Sequence, residues 1–144
     1  MKGKIEWIKV SAVVHSTESR EKVSQAIATL FPFEFEIQVS KASGHYGNPL
    51  EFLEVVLKKS SEIDSFWKNF VCLLKDQKEV LLNTLEERLD AQNVLHIRLD
   101  KQKAYLGEIE LSSVDPIAVK VKLVVFPAKR EKALEFAREL CSIS

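Results

Sequence analysis

The chain has 144 residues, 46% hydrophobic and 29% charged, with 21 basic and 21 acidic side chains that cancel. That length fits one domain with one core, taken as residues 1–144. The absence of an apolar run of roughly 18 residues excludes a membrane-spanning helix, and the neutral total excludes a surface that coats nucleic acid by bulk charge.

Any contact with a polyanion must therefore come from a local patch. The charges are segregated enough to make one. Lys120, Lys122, Lys129, Arg130 and Lys132 gather late in the chain, while Glu86, Glu87 and Asp90 gather on one predicted helix and Glu34 and Glu36 on one predicted strand. The segment after Met1–Lys4 is broken by Glu6, Lys9 and Ser11, which is not the core of a signal peptide, so the expectation is a cytoplasmic protein. Cys72 and Cys141 fall on the apolar sides of predicted helices and read as small hydrophobes without a disulfide.

In chain order, residues 4–15 alternate as a strand, with Ile8, Val10, Ala12 and Val14 on one face and Lys9, Ser11 and His15 on the other. Ser16 or Thr17 caps a helix running to about residue 30, with Glu18 and Glu21 in its first turn and Pro32 beyond its end. Phe33, Phe35, Ile37 and Val39 alternate with polar residues as a second strand over 33–40. Residues 50–58 return as its partner, which leaves a loop of about nine residues, longer than the ~2–5 of a tight hairpin. Ser61 and Asp64 open a helical stretch that reaches about residue 90, with a break near Asp76–Gln77. Strands are expected at 94–99, 104–111 and 117–126, with Gly107 at a bulge and a turn at Asp115–Pro116. Pro127 opens the last helix. The order β-α-β-β-α(α)-β-β-β-α defines an α+β fold: a mainly antiparallel sheet with helices packed on one face and solvent on the other.

Three constellations stand out. On the wet face of the sheet, the alternation places Lys9, Ser11, His96, Arg98, Lys120 and Lys122 together. That is either a plain solvated face or a platform for phosphates, and it lacks the aromatic pair of a sheet that stacks single-stranded bases. The second is Arg98-Leu99-Asp100-Lys101-Gln102-Lys103, closing on Gly107, which reads as a phosphate-contacting turn or as a charged turn guarding a sheet edge. Asp100 would orient Arg98 or cap the turn. The third is Gly44-His45-Tyr46-Gly47-Asn48-Pro49, where the glycines expose amide donors and His45 and Tyr46 offer a hydrogen-bonding ring and a stacking surface. Side by side, the second and third would make a locally cationic docking spot.

No two histidines have metal-ligand spacing, no Cys-x-x-Cys occurs, and there is no P-loop and no Gly-x-Ser-x-Gly elbow. The residues argue for a binding module over an enzyme, with no cofactor and no metal. Two alternatives stay open. One is an assembly subunit that touches no RNA and closes an apolar patch at Trp7, Phe126 or the Leu81–Leu89 stripe. The other is a small phosphoesterase built on His45, Arg98, Asp100 and Lys101.

His15-Ser16-Thr17-Glu18, His45-Tyr46-Gly47-Asn48-Pro49, Arg98-Leu99-Asp100-Lys101-Gln102 with Ala104 and Gly107, and Asp115-Pro116-Ile117 together resemble an archaeal family described as an RNA-binding, predicted exosome subunit. The resemblance spans nearly the whole chain. It implies a fold like the ribosomal protein that binds 5S ribosomal RNA, a non-catalytic RNA-binding role, and association with RNA-processing proteins such as the exosome. RNA-contact roles pass by resemblance to His45, Asn48, Arg98, Lys101 and Gln102. Lys103 and Tyr46 join them from the local reading. Structured RNA, read through backbone and shape, is favoured over stacked single strands. A homodimer remains open.

Overall fold

The computed structural model describes residues 3–43 and 47–142. Its centre is β1 (Gly3–Val14), paired on one side with β3 (Pro49–Leu57) and on the other with β5 (Ile117–Val125). The edges are β2 (Gln38–Ser43) and β4 (Val94–Leu99), giving the order β2-β3-β1-β5-β4 with every pairing antiparallel. The α+β class expected from the sequence is what the structure has.

Period-two alternation decides which face is covered. Ile8, Val10, Leu53, Val55, Leu95, Ile97, Val119 and Val121 are all buried, and they join one hydrophobic cluster with the helices. Those helices are α1 (Arg20–Ala28), α2 (Ser60–Leu74), α3 (Gln77–Asn83), α4 (Leu85–Arg88), α5 (Lys101–Tyr105) and α6 (Arg130–Cys141). Ile63, Phe66, Phe70 and Leu74 of α2 fill the centre of the layer. Phe66 and Phe70 are fully buried, each worth roughly 1.5–3 kcal/mol of apolar transfer. The opposite sheet face has no covering layer among the described residues.

Several local expectations are corrected. α1 begins after Ser19, whose hydroxyl accepts from the Lys22 amide, because residues 15–18 are held in a turn by Glu18 N–H donating to the His15 carbonyl. Residues 33–37 do not pair as a strand. Phe31 stacks on Phe35 with centroids 4.2 Å apart and lies against Phe66, and this aromatic cluster holds the segment off the sheet. Ser43 pairs with Pro49, which leaves five residues between the two strands, an ordinary hairpin length, in place of about nine. The break near Asp76 is present, at Lys75 with a positive φ of 48°, and the helical stretch beyond it divides again at Thr84. The strand expected at 104–111 is absent. Asp100 caps α5 through Oδ1 and the Lys103 amide, Gly107 turns the chain at φ 86°, and only Leu111 bridges to Leu99. Cys72 is exposed while Cys141 is buried, and both are free thiols.

Candidate nucleic-acid interface

Four strand ends meet where β1 finishes and β5 begins, and the motif segments converge there. Lys101, only 8% exposed, directs its ammonium to the Val13 carbonyl at 2.6 Å, Asp115 Oδ2 at 2.9 Å and Glu18 Oε1 at 3.2 Å. His15 Nε2 lies 3.0 Å from the other oxygen of Asp115, and the His15 amide donates to Glu18. Burial alone would raise the Asp115 pKa. Hydrogen bonds from His15 and Lys101, with the charges behind them, outweigh it and hold the carboxyl below its ordinary value. His15, Glu18 and Asp115 offer ligand atoms within 4.8 Å of one another, but the Lys101 ammonium already supplies a positive charge among them. This cluster ties the end of β1, the approach to α1, the start of α5 and the start of β5 to one another.

The network corrects the reading of Lys101 as a phosphate contact. Its charge is spent on the protein's own carboxylates. The contiguous Arg98–Lys103 stretch is divided: Arg98 stands exposed on the open sheet face, whereas Gln102 and Lys103 are exposed on α5, which packs on α1. Gln102 lines a groove with Lys22, Val23 and Tyr105. Asn48 is exposed beside the first residue of β3, and His45 and Tyr46 lie outside the described residues. The β2–β3 turn and α5 share one end of the sheet. The turn joins β2 and β3 at one edge, whereas α5 leaves the opposite edge strand β4 and packs back on α1, which Arg20 ties to Glu51 of β3. Of the apolar patches considered, Leu81, Leu85 and Leu89 belong to the core, while Phe126 is 90% exposed.

The open face is where cations collect. Lys9 is directly opposite Lys120, and Lys120 is directly opposite His96. Completing that row is Val56, so it contains no carboxylate. One step along, Arg98 faces Ala118. Arg98 lies near Arg88, whose pKa is lowered first by burial and then by the Arg98 charge. Lys122, two residues from Lys120, donates to the Gln92 carbonyl. Among the described residues neither Arg98 nor Lys120 has a salt-bridge partner. His96 Nε2 lies 2.8 Å from Asp90 Oδ2. Like charges directly opposite on neighbouring strands destabilise a sheet, so this arrangement is costly unless an anion visits it.

Two aromatics that the sequence reading left off this face are on it. Trp7 lies at the far end under the Lys9 ammonium, 4.7 Å from the ring centroid, and Phe52 pairs with Val13 at the near end. Six residues of strand, about 20 Å, separate them, so they are not an adjacent stacking pair. Extending the alternation of β1 by one residue would have placed Trp7.

Fold and site together define a small α+β protein with one helix-covered sheet face and one open, cationic face. A family model described as RNA binding matches residues 7–123, and the chain belongs to that family. The RNA-binding protein PAB1135 from Pyrococcus abyssi is 38% identical over 148 residues, covering 96% of each chain. Among solved structures, protein AF2318 from Archaeglobus fulgidus, described as DUF54, is 71% identical with a TM-score of 0.90, covering 96% of this chain and all of that one. Mth689, a DUF54 protein from Methanothermobacter thermautotrophicus, is 32% identical with a TM-score of 0.80, covering 96% of this chain and 98% of that one. No helix among the described residues is long and apolar enough to cross a membrane.

Proposed function

We propose that this protein is a non-catalytic RNA-binding module that holds phosphates on the open face of its sheet. The observation that carries the reading is the cross-strand Lys9–Lys120 pair, with no carboxylate in its row and with Arg98 and Lys122 beside it. Phosphate oxygens would relieve that repulsion, and the Arg98 fork suits them bidentately. Gln102 and Lys103 on α5 and Asn48 at the β2–β3 turn would reach a longer RNA at the near end of the sheet, while Lys101 positions α5 rather than touching the ligand. A flat cationic platform favours structured RNA gripped through its backbone. Association with RNA-processing proteins such as the exosome is the finer reading that the family resemblance suggests.

Fluorescence anisotropy of a labelled RNA hairpin over a salt series tests this. Four platform cations, Lys9, Arg98, Lys120 and Lys122, predict a log–log salt slope of about −3.6 on a duplex stem. The double variant Arg98→Gln/Lys120→Gln should halve it to about −1.8 and weaken binding. An unchanged slope and affinity in that variant would remove the open face as the contact.

A further inference from the structure

The open face has a recess that adjoins the phosphate platform at Lys9. It has a volume of about 460 Å³ and is lined by Glu6, Trp7, Lys9, Glu54, Val56 and Lys58. We infer that this recess receives a single unpaired nucleobase of the bound RNA, stacked on Trp7 and held at its edge by Glu54. The inference rests on the RNA reading above and adds to it a nucleotide-specific subsite.

The volume lies in the range of small-molecule sites. Trp7 supplies a flat π surface, and its indole N–H has no partner among the described residues, in contrast to Trp67, whose N–H donates to the Leu140 carbonyl at 2.9 Å. The place above the ring is held by the Lys9 ammonium. An exposed cation–π contact is weaker than stacking of a base on an aromatic ring. A base can therefore displace Lys9 from the ring, and Lys9 then turns to the phosphate of the same nucleotide. Lys9 belongs to both the recess and the cationic row, so the base site and the phosphate platform are continuous.

Base preference follows from the wall. Glu54 faces Ser11 and Gln38 across its two neighbouring strands and has no salt bridge among the described residues. An ionised carboxylate only accepts hydrogen bonds. Guanine presents two adjacent N–H donors on its pairing edge and matches both oxygens of Glu54. Uracil presents one donor between two carbonyls and sets its oxygens against the carboxylate. The site must take an unpaired base, because inside a stem both faces of each base are already stacked and the pairing edge is used.

The test uses one RNA hairpin in three forms: blunt, with a single 3′ guanosine overhang, and with a single 3′ uridine overhang. Intrinsic fluorescence reports on the site because Trp7 lies in the recess while Trp67 is buried. The guanosine overhang should tighten binding about tenfold over the blunt stem and quench the emission, with uridine giving less than about threefold. In Trp7→Phe the quench should vanish while the guanosine gain shrinks. In Trp7→Ala the ratio of overhang to blunt affinity should fall toward one, and in Glu54→Gln the guanosine and uridine affinities should converge. Circular dichroism of each variant establishes that it is folded. If the blunt hairpin binds but the overhang adds neither affinity nor Trp7 quenching, the subsite is refuted and the platform stands. If none of the three hairpins binds, both readings fail together.

Discussion

Replacing Lys120 by Gln should make the protein more stable and a weaker RNA binder at once. Lys120 and Lys9 are directly opposite on β5 and β1, where side-chain Cβ atoms are about 4.5–5.5 Å apart. Repulsion in such a pair is worth roughly 0.2–1 kcal/mol. Removing it should raise the melting temperature by up to about 4 °C for a chain of this size. The gain should be largest at low ionic strength, because both groups are solvent-accessible and salt screens them. Lys9→Gln should give a smaller gain, because it also takes the ammonium off the Trp7 ring. The double variant should gain no more than either single, because either substitution removes the same repulsion. On RNA, the loss of one phosphate contact should flatten the log–log salt slope by about 0.9 on a stem. Urea melts at low and high salt, run alongside anisotropy titrations, measure both effects on the same samples. Additive stabilities with an unchanged salt slope would mean that the two lysines neither oppose each other nor meet phosphate, and the reasoning would fail.

The Lys101 network gives a second group of outcomes. Lys101→Met keeps the side-chain length but takes the ammonium from the Val13 carbonyl, Asp115 Oδ2 and Glu18, leaving His15 as the remaining partner of the two carboxylates. It should cost roughly 2–3 kcal/mol in urea denaturation, less than a fully buried pair because both carboxylates are partly hydrated. The Asp115 pKa is held below its ordinary 3.8 in the folded chain. Its stabilising contribution is therefore complete above the unfolded-state value and is lost as pH falls through the folded one. The stability difference between the protein and its Asp115→Asn variant should be level above about pH 5 and close as pH drops below about 4; a difference that widened in acid would contradict the network. A thiol reagent at about pH 8 should modify exposed Cys72 quickly. Buried Cys141, whose pKa burial pushes up to about 12, should be modified only in denaturant, as mass spectrometry of the labelled chain would show.

The two faces of the sheet were legible in the residues alone. A pleated strand alternates its side chains whatever its neighbours, so Lys9, His96, Arg98, Lys120 and Lys122 were placed on the open side before any pairing was known, and the α+β class with one covered face followed from the same alternation. Local chemistry left Asp100 as a partner for Arg98 or a cap of the turn, and it is the cap. Which side chains meet was settled by folding. Strand order put β1 beside β5 and so set Lys9 against Lys120, residues 111 apart in sequence. Lys101 read as a free cation because the partners that neutralise it, Val13, Glu18 and Asp115, lie 14 to 88 residues away. Residues 101–105 became a helix instead of leading into a strand because Asp100 caps them and α1 offers a surface to pack on. Alternation along one strand is a property of its backbone, whereas the fate of a charge depends on groups that folding alone brings within reach.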